Sequence, residues 1–301
     1  MVFISFRRKG KACLSLGTSS RQYLLRHHAN RRFLYLLLAF LLFCWNSLAL
    51  WFTQQELDLQ TFNLLLWLGV LLALDDHISQ LWPRPSPAGF FAGSLGLAIL
   101  LALSPWLFRE QDGYIKYLLL PIIMFVLALL NRPVTDWALF KAPLLIALLL
   151  PLSGAIEVLS SPVQNRLTAF LTWTFLTGAG FQPILNGKQI VFDSGIVAVE
   201  TPCNGIEQLI FSVSMIVIFQ LIYPLDKRFH IFLAVVGAAL SATALNVVRI
   251  ALLAYFTTWP DNRGLPAFDF FHGSGGTIFS LLAAAVAGWI YVSLLERELA
   301  A

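Results

Sequence analysis

The chain has 301 residues and a formal net charge of +4, and 58% of its residues are hydrophobic while only 12% are charged. Together with a mean hydropathy of +0.76, this composition excludes a soluble globular protein. The apolar runs approach the roughly 20 residues that an α-helix needs to cross a bilayer, and none alternates as the strands of a transmembrane barrel do. The predicted fold is therefore an all-α, polytopic transmembrane helical bundle.

The N-terminal tail, residues 1–32, is the first element along the chain. It contains eight Lys and Arg residues and no acidic residue, so the positive-inside rule predicts that it lies in the cytoplasm. The apolar run after it is too long for a cleavable signal peptide and lacks a small-residue cleavage site. No basic domain with interleaved aromatic residues accompanies the tail, so we expect no nucleic-acid partner.

About eight apolar segments are predicted to cross the membrane. The first five form an N-terminal multi-span region, residues 33–160, and deliver the chain to the outside, because the tail starts in the cytoplasm. The last three belong to a second region, residues 161–301, in which we expect the catalytic residues. The eight segments are residues 33–52, 60–74, 89–108, 115–131, 138–159, 206–223, 230–257 and 275–294.

The segment 163–180 is apolar but is interrupted by Asn165 and Arg166. It is either a ninth crossing or a helix that lies partly in the interface. The interfacial helix gives the better topology, because the basic loop 223–230 then lies in the cytoplasm, as the positive-inside rule prefers. We therefore expect eight spans with both termini inside.

Residues 186–201 differ in kind from the apolar segments. Two short β-branched runs flank Asp193-Ser194-Gly195, which predicts a small β-hairpin with a glycine-containing turn. Strand edges cannot face lipid because their backbone groups would have no hydrogen-bond partner. The hairpin is therefore expected outside the bilayer, on the extracytoplasmic side, directly before the helix that carries the candidate nucleophile.

Three polar residues of the last three spans reach the same membrane depth. Counting about 20 residues back from the loop places Cys203 about 30 Å above it, and the 19 residues from His230 to Arg249 give about 28 Å. His272 opens the last segment and lies about 24 residues before the charges at 296–298, again at the outer rim. A thiol, an imidazole and a guanidinium at one level suit acyl transfer by a cysteine nucleophile.

Each of these residues also has a simpler interpretation. Arg249 could be a snorkelling arginine near a helix end, and Asn204-Gly205-Ile206-Glu207 after Cys203 has the pattern of a capping box, with Asn204 capping. The two interpretations of the cysteine are compatible, because a helix that begins at Asn204 would lower the pKa of a thiol at its N-terminus. The three cysteines of the chain are too scattered for a disulfide framework or a CxxC redox pair.

These motifs resemble the exosortase/archaeosortase family of polytopic membrane enzymes. The resemblance runs from "GKQIVFDSGIVAVETPCNGIEQL" through "LNVVRI" to "FHGSGG" and covers about the last 120 residues closely. It implies that Cys203 is the nucleophile, Arg249 the essential arginine and His272 the histidine of the site. Asn246, one helical turn before the arginine, and the Asn-Gly pair after the cysteine are expected to support them.

The resemblance also implies a function. Members are thought to recognise a C-terminal signal of exported proteins, formed by a short motif such as Pro-Glu-Pro, a transmembrane helix and a basic tail (PEP-CTERM-like), and to cleave it outside the membrane. The chain is then a cysteine peptidase or transpeptidase in the plasma membrane of a bacterium, in contact with lipid and without metal or organic cofactor. The Cys-Asn-Gly variant is most similar to the cyanobacterial branch, and Glu207 stands where many members have arginine.

A different class of function is a transporter or lipid-handling protein in which Arg249 binds an anionic group and Cys203 is incidental. Transporters of this kind often show paired inverted halves with interrupted helices. The sequence shows no such internal symmetry, so the peptidase is the preferred hypothesis.

Overall fold

A computed structural model of the chain describes residues 18–54, 57–75, 85–107, 115–131, 137–260 and 263–300. Within them the chain is mainly α-helical, which confirms the predicted all-α fold. Residues 1–17 of the predicted tail lie outside the described residues. The helices are α1 (Thr18–Gln54), α2 (Leu57–Asp75), α3 (Pro87–Leu107), α4 (Ile115–Asn131), α5 (Lys141–Ala147), α6 (Leu149–Gly178), α7 (Ile206–Ile222), α8 (Arg228–Thr257), α9 (Leu265–His272) and α10 (Ser274–Leu299).

Apolar helices occupy the positions of the eight predicted crossings. Among the described residues, four helical stretches are long and apolar enough to cross a membrane, and four shorter apolar helices accompany them. The chain is therefore a polytopic helical membrane protein, as predicted. The long stretches are Phe33–Trp51, Ala138–Gly178, Arg228–Thr257 and Gly275–Leu299, and the shorter ones are Leu59–Asp75, Pro87–Leu103, Tyr117–Asn131 and Ile206–Ile222.

The fifth predicted crossing does not end near residue 159, because helix α6 runs without a break from Leu149 to Gly178. Its 30 residues span about 45 Å, which exceeds the roughly 30 Å of a bilayer core. The predicted break between 138–159 and 163–180 is therefore wrong. Asn165 does not interrupt the helix because it is buried and its side-chain oxygen accepts a hydrogen bond from Asn204 Nδ2 at 2.8 Å.

Helices α7, α8 and α10 form the bundle that carries the predicted site. Small residues allow their close packing, as is common in membrane helices. Gly237 of α8 faces Ile290 of α10, where an added Cβ would lie 3.1 Å from the isoleucine side chain. Gly288 of α10 lies in the same way against Phe219 of α7.

Helices α8 and α10 run in opposite directions, because His230 at the start of α8 lies against Glu298 at the end of α10 and Arg249 near the end of α8 bonds His272 just before α10. Helix α7 runs in the direction of α10, because Cys203 just before α7 lies against His272 and Gln220 near its end accepts a hydrogen bond from Tyr291 of α10.

Glu298 connects the helix ends that the predicted topology places on the cytoplasmic side of this bundle. Its carboxylate accepts hydrogen bonds from the backbone N–H groups of Asp226 and Lys227 at 2.8 and 3.1 Å. The same carboxylate lies 2.7 Å from His230 Nδ1. This contact fixes the α7–α8 loop against the end of α10, at the opposite end of the bundle from Cys203.

A small antiparallel sheet precedes α7. Strand β2 (Gln189–Phe192) pairs with β3 (Gly195–Ala198) across the turn at Asp193 and Ser194, which confirms the predicted hairpin. A third strand, β1 (Ile184–Asn186), pairs with the other side of β2 and was not predicted. One face of the sheet packs on the ends of α6 and α8. The buried side chains at this contact form a hydrophobic cluster that includes Ala169, Leu176, Ile190, Val197, Val199, Cys203, Ile250 and Ala254.

Candidate active site

Cys203 lies in a short connection between the sheet and α7. Residues Thr201–Cys203 form one turn of 3₁₀-helix, and Gly205 then adopts a left-handed conformation with φ of +80°. Helix α7 therefore begins at Ile206, which agrees with the predicted crossing 206–223. It does not begin at Asn204, where a helix start would have lowered the pKa of the thiol. The side-chain oxygen of Asn204 still accepts the backbone N–H of Ile206 at 2.9 Å, which satisfies one of the free donors of the helix end.

The thiol of Cys203 faces His272. Its Sγ lies 3.6 Å from His272 Nδ1, a distance that permits a hydrogen bond between thiol and imidazole. His272 is the last residue of the short helix α9 and does not begin α10, as the sequence suggested. The cysteine is only 6% exposed, whereas the histidine is exposed. The imidazole is therefore the part of the pair that lies at the protein surface.

The ring of Phe268 stands edge-on to this imidazole. The two ring centroids are 5.6 Å apart and the ring planes are nearly perpendicular, at 83°. Because Phe268 and His272 are one turn apart on α9, the contact restricts rotation of the imidazole about its side-chain bonds. The ring nitrogen that faces the sulfur is thereby held in place.

Arg249 is buried, with 4% of its surface exposed, and it does not snorkel. Its Nε donates to the backbone carbonyl of Phe271 and its Nη2 to that of His272, both at 3.1 Å. The guanidinium thus binds the last carbonyls of α9, a position where a cation is favourable. Gly276 of α10 lies directly against the guanidinium, and no Cβ would fit between them.

Two of the predicted supporting residues, Asn246 and Gly205, contact each other next to the backbone of Cys203. Asn246 Nδ2 donates to the carbonyl of Cys203 at 3.1 Å. Gly205 packs so closely on the Asn246 side chain that an added Cβ would overlap with it. The left-handed conformation and this close approach both require glycine at this position.

Helix α6 contributes contacts that the sequence analysis missed. The carbonyl of Asn204 accepts a hydrogen bond from Thr168 Oγ1 at 2.7 Å, and the side-chain nitrogen of Asn204 donates to Asn165. Asn204 is fully buried, so these bonds satisfy groups that have no access to water. The signal in the sequence is the spacing of Ser161, Asn165 and Thr168, which lie on one face of the helix.

Burial raises the pKa of the Cys203 thiol. The positive charge of Arg249 opposes this shift, while the carboxylates of Glu207 and Glu200 add to it. Helix α7 starts three residues after the cysteine, so the helix N-terminus that was expected to lower the pKa of the thiol does not lie directly at Cys203. A thiol with a raised pKa is a weaker nucleophile at neutral pH unless a base takes its proton.

Comparison with known families gives a match that covers most of the membrane region of the chain. The family model described as transmembrane exosortase (Exosortase_EpsH) matches residues 58–289, well over half of the chain. This range contains the sheet, the cysteine, the arginine and the histidine. Comparison with curated proteins and with solved structures gives no match.

Proposed function

Because the chain belongs to the transmembrane exosortase family, we propose that it is a cysteine peptidase or transpeptidase with Cys203 as its nucleophile. The observation that carries this proposal is the 3.6 Å contact between Cys203 Sγ and His272 Nδ1. A neutral thiol beside an imidazole is the arrangement in which histidine can act as the general base of acyl transfer.

The proposed reaction begins with the transfer of the thiol proton to His272 Nδ1. The resulting thiolate attacks the carbonyl carbon of the scissile peptide bond, and a tetrahedral oxyanion forms. The imidazolium then gives its proton to the leaving nitrogen, the C–N bond breaks, and a thioester with Cys203 remains. Water or an amine then attacks the thioester and passes a proton to the imidazole. The C–S bond breaks, the imidazolium returns this proton to the departing thiolate, and either an acid or a new amide is released.

Arg249 has two parts in this mechanism. Its hydrogen bonds to the carbonyls of Phe271 and His272 hold the backbone from which the imidazole projects. Its charge also lowers the pKa of the thiol against the effect of burial, and the same charge favours an oxyanion that forms on the attacked carbonyl. The first part makes Arg249 a positioning residue for His272.

The substrates in this proposal are exported proteins with a C-terminal sorting signal of motif, transmembrane helix and basic tail. A substrate that is itself anchored in the membrane suits a cysteine at the outer end of a helical bundle, because the bond next to the substrate helix then lies at the same depth. The proposal places the protein in the plasma membrane of a bacterium, with the reacting groups on the extracytoplasmic side.

The alternative, a transporter or lipid-handling protein with Arg249 as anion site, is disfavoured by the contacts of the arginine. The guanidinium is buried and two of its nitrogens already donate to backbone carbonyls. An anionic ligand would have to displace these bonds and the end of α9 with them.

The test is processing of a membrane-anchored target that is co-expressed with the enzyme. We expect Cys203→Ala to abolish the appearance of a shortened target, while Cys44→Ala, a half-buried cysteine within α1, processes normally. Mass spectrometry of the shortened target gives its new C-terminus and shows whether an acceptor was attached. Full processing by Cys203→Ala would disprove the proposed mechanism.

A further inference from the structure

The strand that leads to the cysteine has a free edge. The strand order of the sheet is β1-β2-β3, so β3 pairs with β2 on one side only. The two-residue turn makes Phe192 and Gly195 a hydrogen-bonded pair, and hydrogen-bonded pairs then alternate along an antiparallel ladder. The backbone N–H of Val199 donates to the carbonyl of Lys188 at 2.9 Å, as expected if Lys188 and Val199 form the next hydrogen-bonded pair after Ile190 and Val197.

The alternation directs the backbone groups of Ile196 and Ala198 away from β2. Within the part of the chain that the structure describes, no backbone hydrogen bond joins this edge to another segment. An exposed row of unpaired N–H and C=O groups is a template on which another strand can pair. Such an edge is therefore a place where an extended polypeptide can bind.

Helix α8 covers one face of β3. An added Cβ on Gly195 would lie 2.8 Å from the side chain of Thr257, and Val197, on the same face of the strand, is buried. Ile196 points to the opposite face and is 60% exposed. The edge thus lies between a covered face and an exposed apolar side chain that a bound strand could contact.

The position of this edge relative to the nucleophile suggests its occupant. From Ala198 the chain runs through two extended residues and one 3₁₀ turn to Cys203, a path of about 13 Å. The chain then enters the apolar helix α7. A substrate with an extended segment, a scissile bond and a transmembrane helix, in that order, could follow the same course beside it.

We propose that the β3 edge, at Ile196 and Ala198, binds the extended segment of the substrate that precedes the scissile bond, as an added parallel strand. This inference rests on the proposed peptidase function. Main-chain hydrogen bonds supply affinity in this mode of recognition, and alternate side chains supply specificity. The paired residues lie at most about four residues before the bond that reaches Cys203, since the two places are at most about 13 Å apart along this path and an extended residue spans about 3.3 Å.

The first test removes one outward N–H group of the edge. Ile196→Pro eliminates this donor and Ile196→Ala keeps it, so the ratio between the two variants reports the main-chain bond apart from the side chain. We expect kcat/KM for a purified membrane-anchored target to be about three- to tenfold lower in the proline variant than in the alanine variant, mainly through KM. Equal values for the two variants would overturn the strand-addition proposal.

Alkylation of Cys203 by a small thiol reagent, at the same rate in both variants, shows that the site itself is intact. An altered rate in the proline variant would assign its defect to the site and would count against the proposal. If the unmodified enzyme cleaves no target, the peptidase function fails first. If it cleaves the target and the proline variant equals the alanine variant, only the strand addition fails.

The second test determines the direction of pairing by disulfide cross-linking. In a Cys203→Ala background with Cys13 and Cys44 replaced by Ser, Ile196→Cys and Ala198→Cys are each combined with a series of single-cysteine targets. A parallel strand predicts that the best target position moves two residues toward the target C-terminus when the enzyme cysteine moves from 196 to 198. A shift toward the N-terminus, or cross-linking without a preferred position, would overturn the proposal.

Discussion

Replacing Arg249 by Lys separates its hydrogen bonds from its charge. Lysine keeps a positive charge near Cys203, but its single ammonium group cannot reproduce the planar fork that bonds the carbonyls of Phe271 and His272. A hydrogen bond from a charged donor contributes about 1.5–3 kcal/mol. Loss of one such bond lowers the population of the correct imidazole position, and about 1.4 kcal/mol corresponds to a factor of ten.

We therefore expect kcat/KM of Arg249→Lys to fall about 10- to 100-fold in cleavage of a purified target. The pH dependence of Cys203 alkylation should change little, because the cation that lowers the thiol pKa is still present. Arg249→Met, of similar volume, should lose at least as much activity and should in addition shift the alkylation curve to higher pH. Thermal unfolding of each variant, measured in detergent, shows whether the fold is retained.

Two results would refute this reasoning. A lysine variant with normal kcat/KM would mean that the bonds to α9 do not position His272. A lysine variant with the same alkylation shift as Arg249→Met would mean that the lysine charge no longer acts on the sulfur, and the two functions of Arg249 would then not be separable.

Two further predictions concern the thiol and the helix behind it. Because burial raises the pKa of Cys203, its alkylation rate should keep rising with pH beyond about 8.5, and a plateau near neutral pH would indicate a preformed thiolate. Thr168→Val removes the hydroxyl that donates to the carbonyl of Asn204 at 2.7 Å and should lower the free energy of unfolding by about 1 kcal/mol and kcat severalfold. The matched control is Thr174→Val on the exposed face of the same helix, where the hydroxyl bonds only within α6, and an equal loss in both variants would exclude a specific role for Thr168.

The depth of the three site residues could be predicted because it depends on helix length alone. Helices are stiff rods with a fixed rise per residue, and charged loops fix their cytoplasmic ends. Counting residues therefore placed Cys203, Arg249 and His272 at one level, and the structure brings all three together. The contact between thiol and imidazole follows from this level and from the close packing of α7, α8 and α10.

The errors involve contacts and backbone conformations that the sequence pattern of a segment does not show by itself. Asn165 looks like an interruption of an apolar segment until its partner Asn204, 39 residues later, is known. The start of α7 depends on the left-handed conformation of Gly205. Because Asn204 before it has the sequence of an N-cap, the sequence alone indicates an earlier start. Strand β1 has only three residues, too few for an alternating pattern, and it is defined by its pairing with β2.

Cys203 is buried, and burial raises the pKa of its thiol. Oxidation and alkylation of a cysteine both require the thiolate and access to it, and the resting sulfur is neutral and 6% exposed. Such a thiol is protected while no substrate is bound, although the proposed location outside the membrane is an oxidising one. In the proposed mechanism its reactivity comes from the imidazole of His272, whose backbone is bonded by Arg249 and whose ring contacts Phe268. Replacing a residue that positions the histidine should therefore slow the proposed reaction, whereas replacing the cysteine should abolish it.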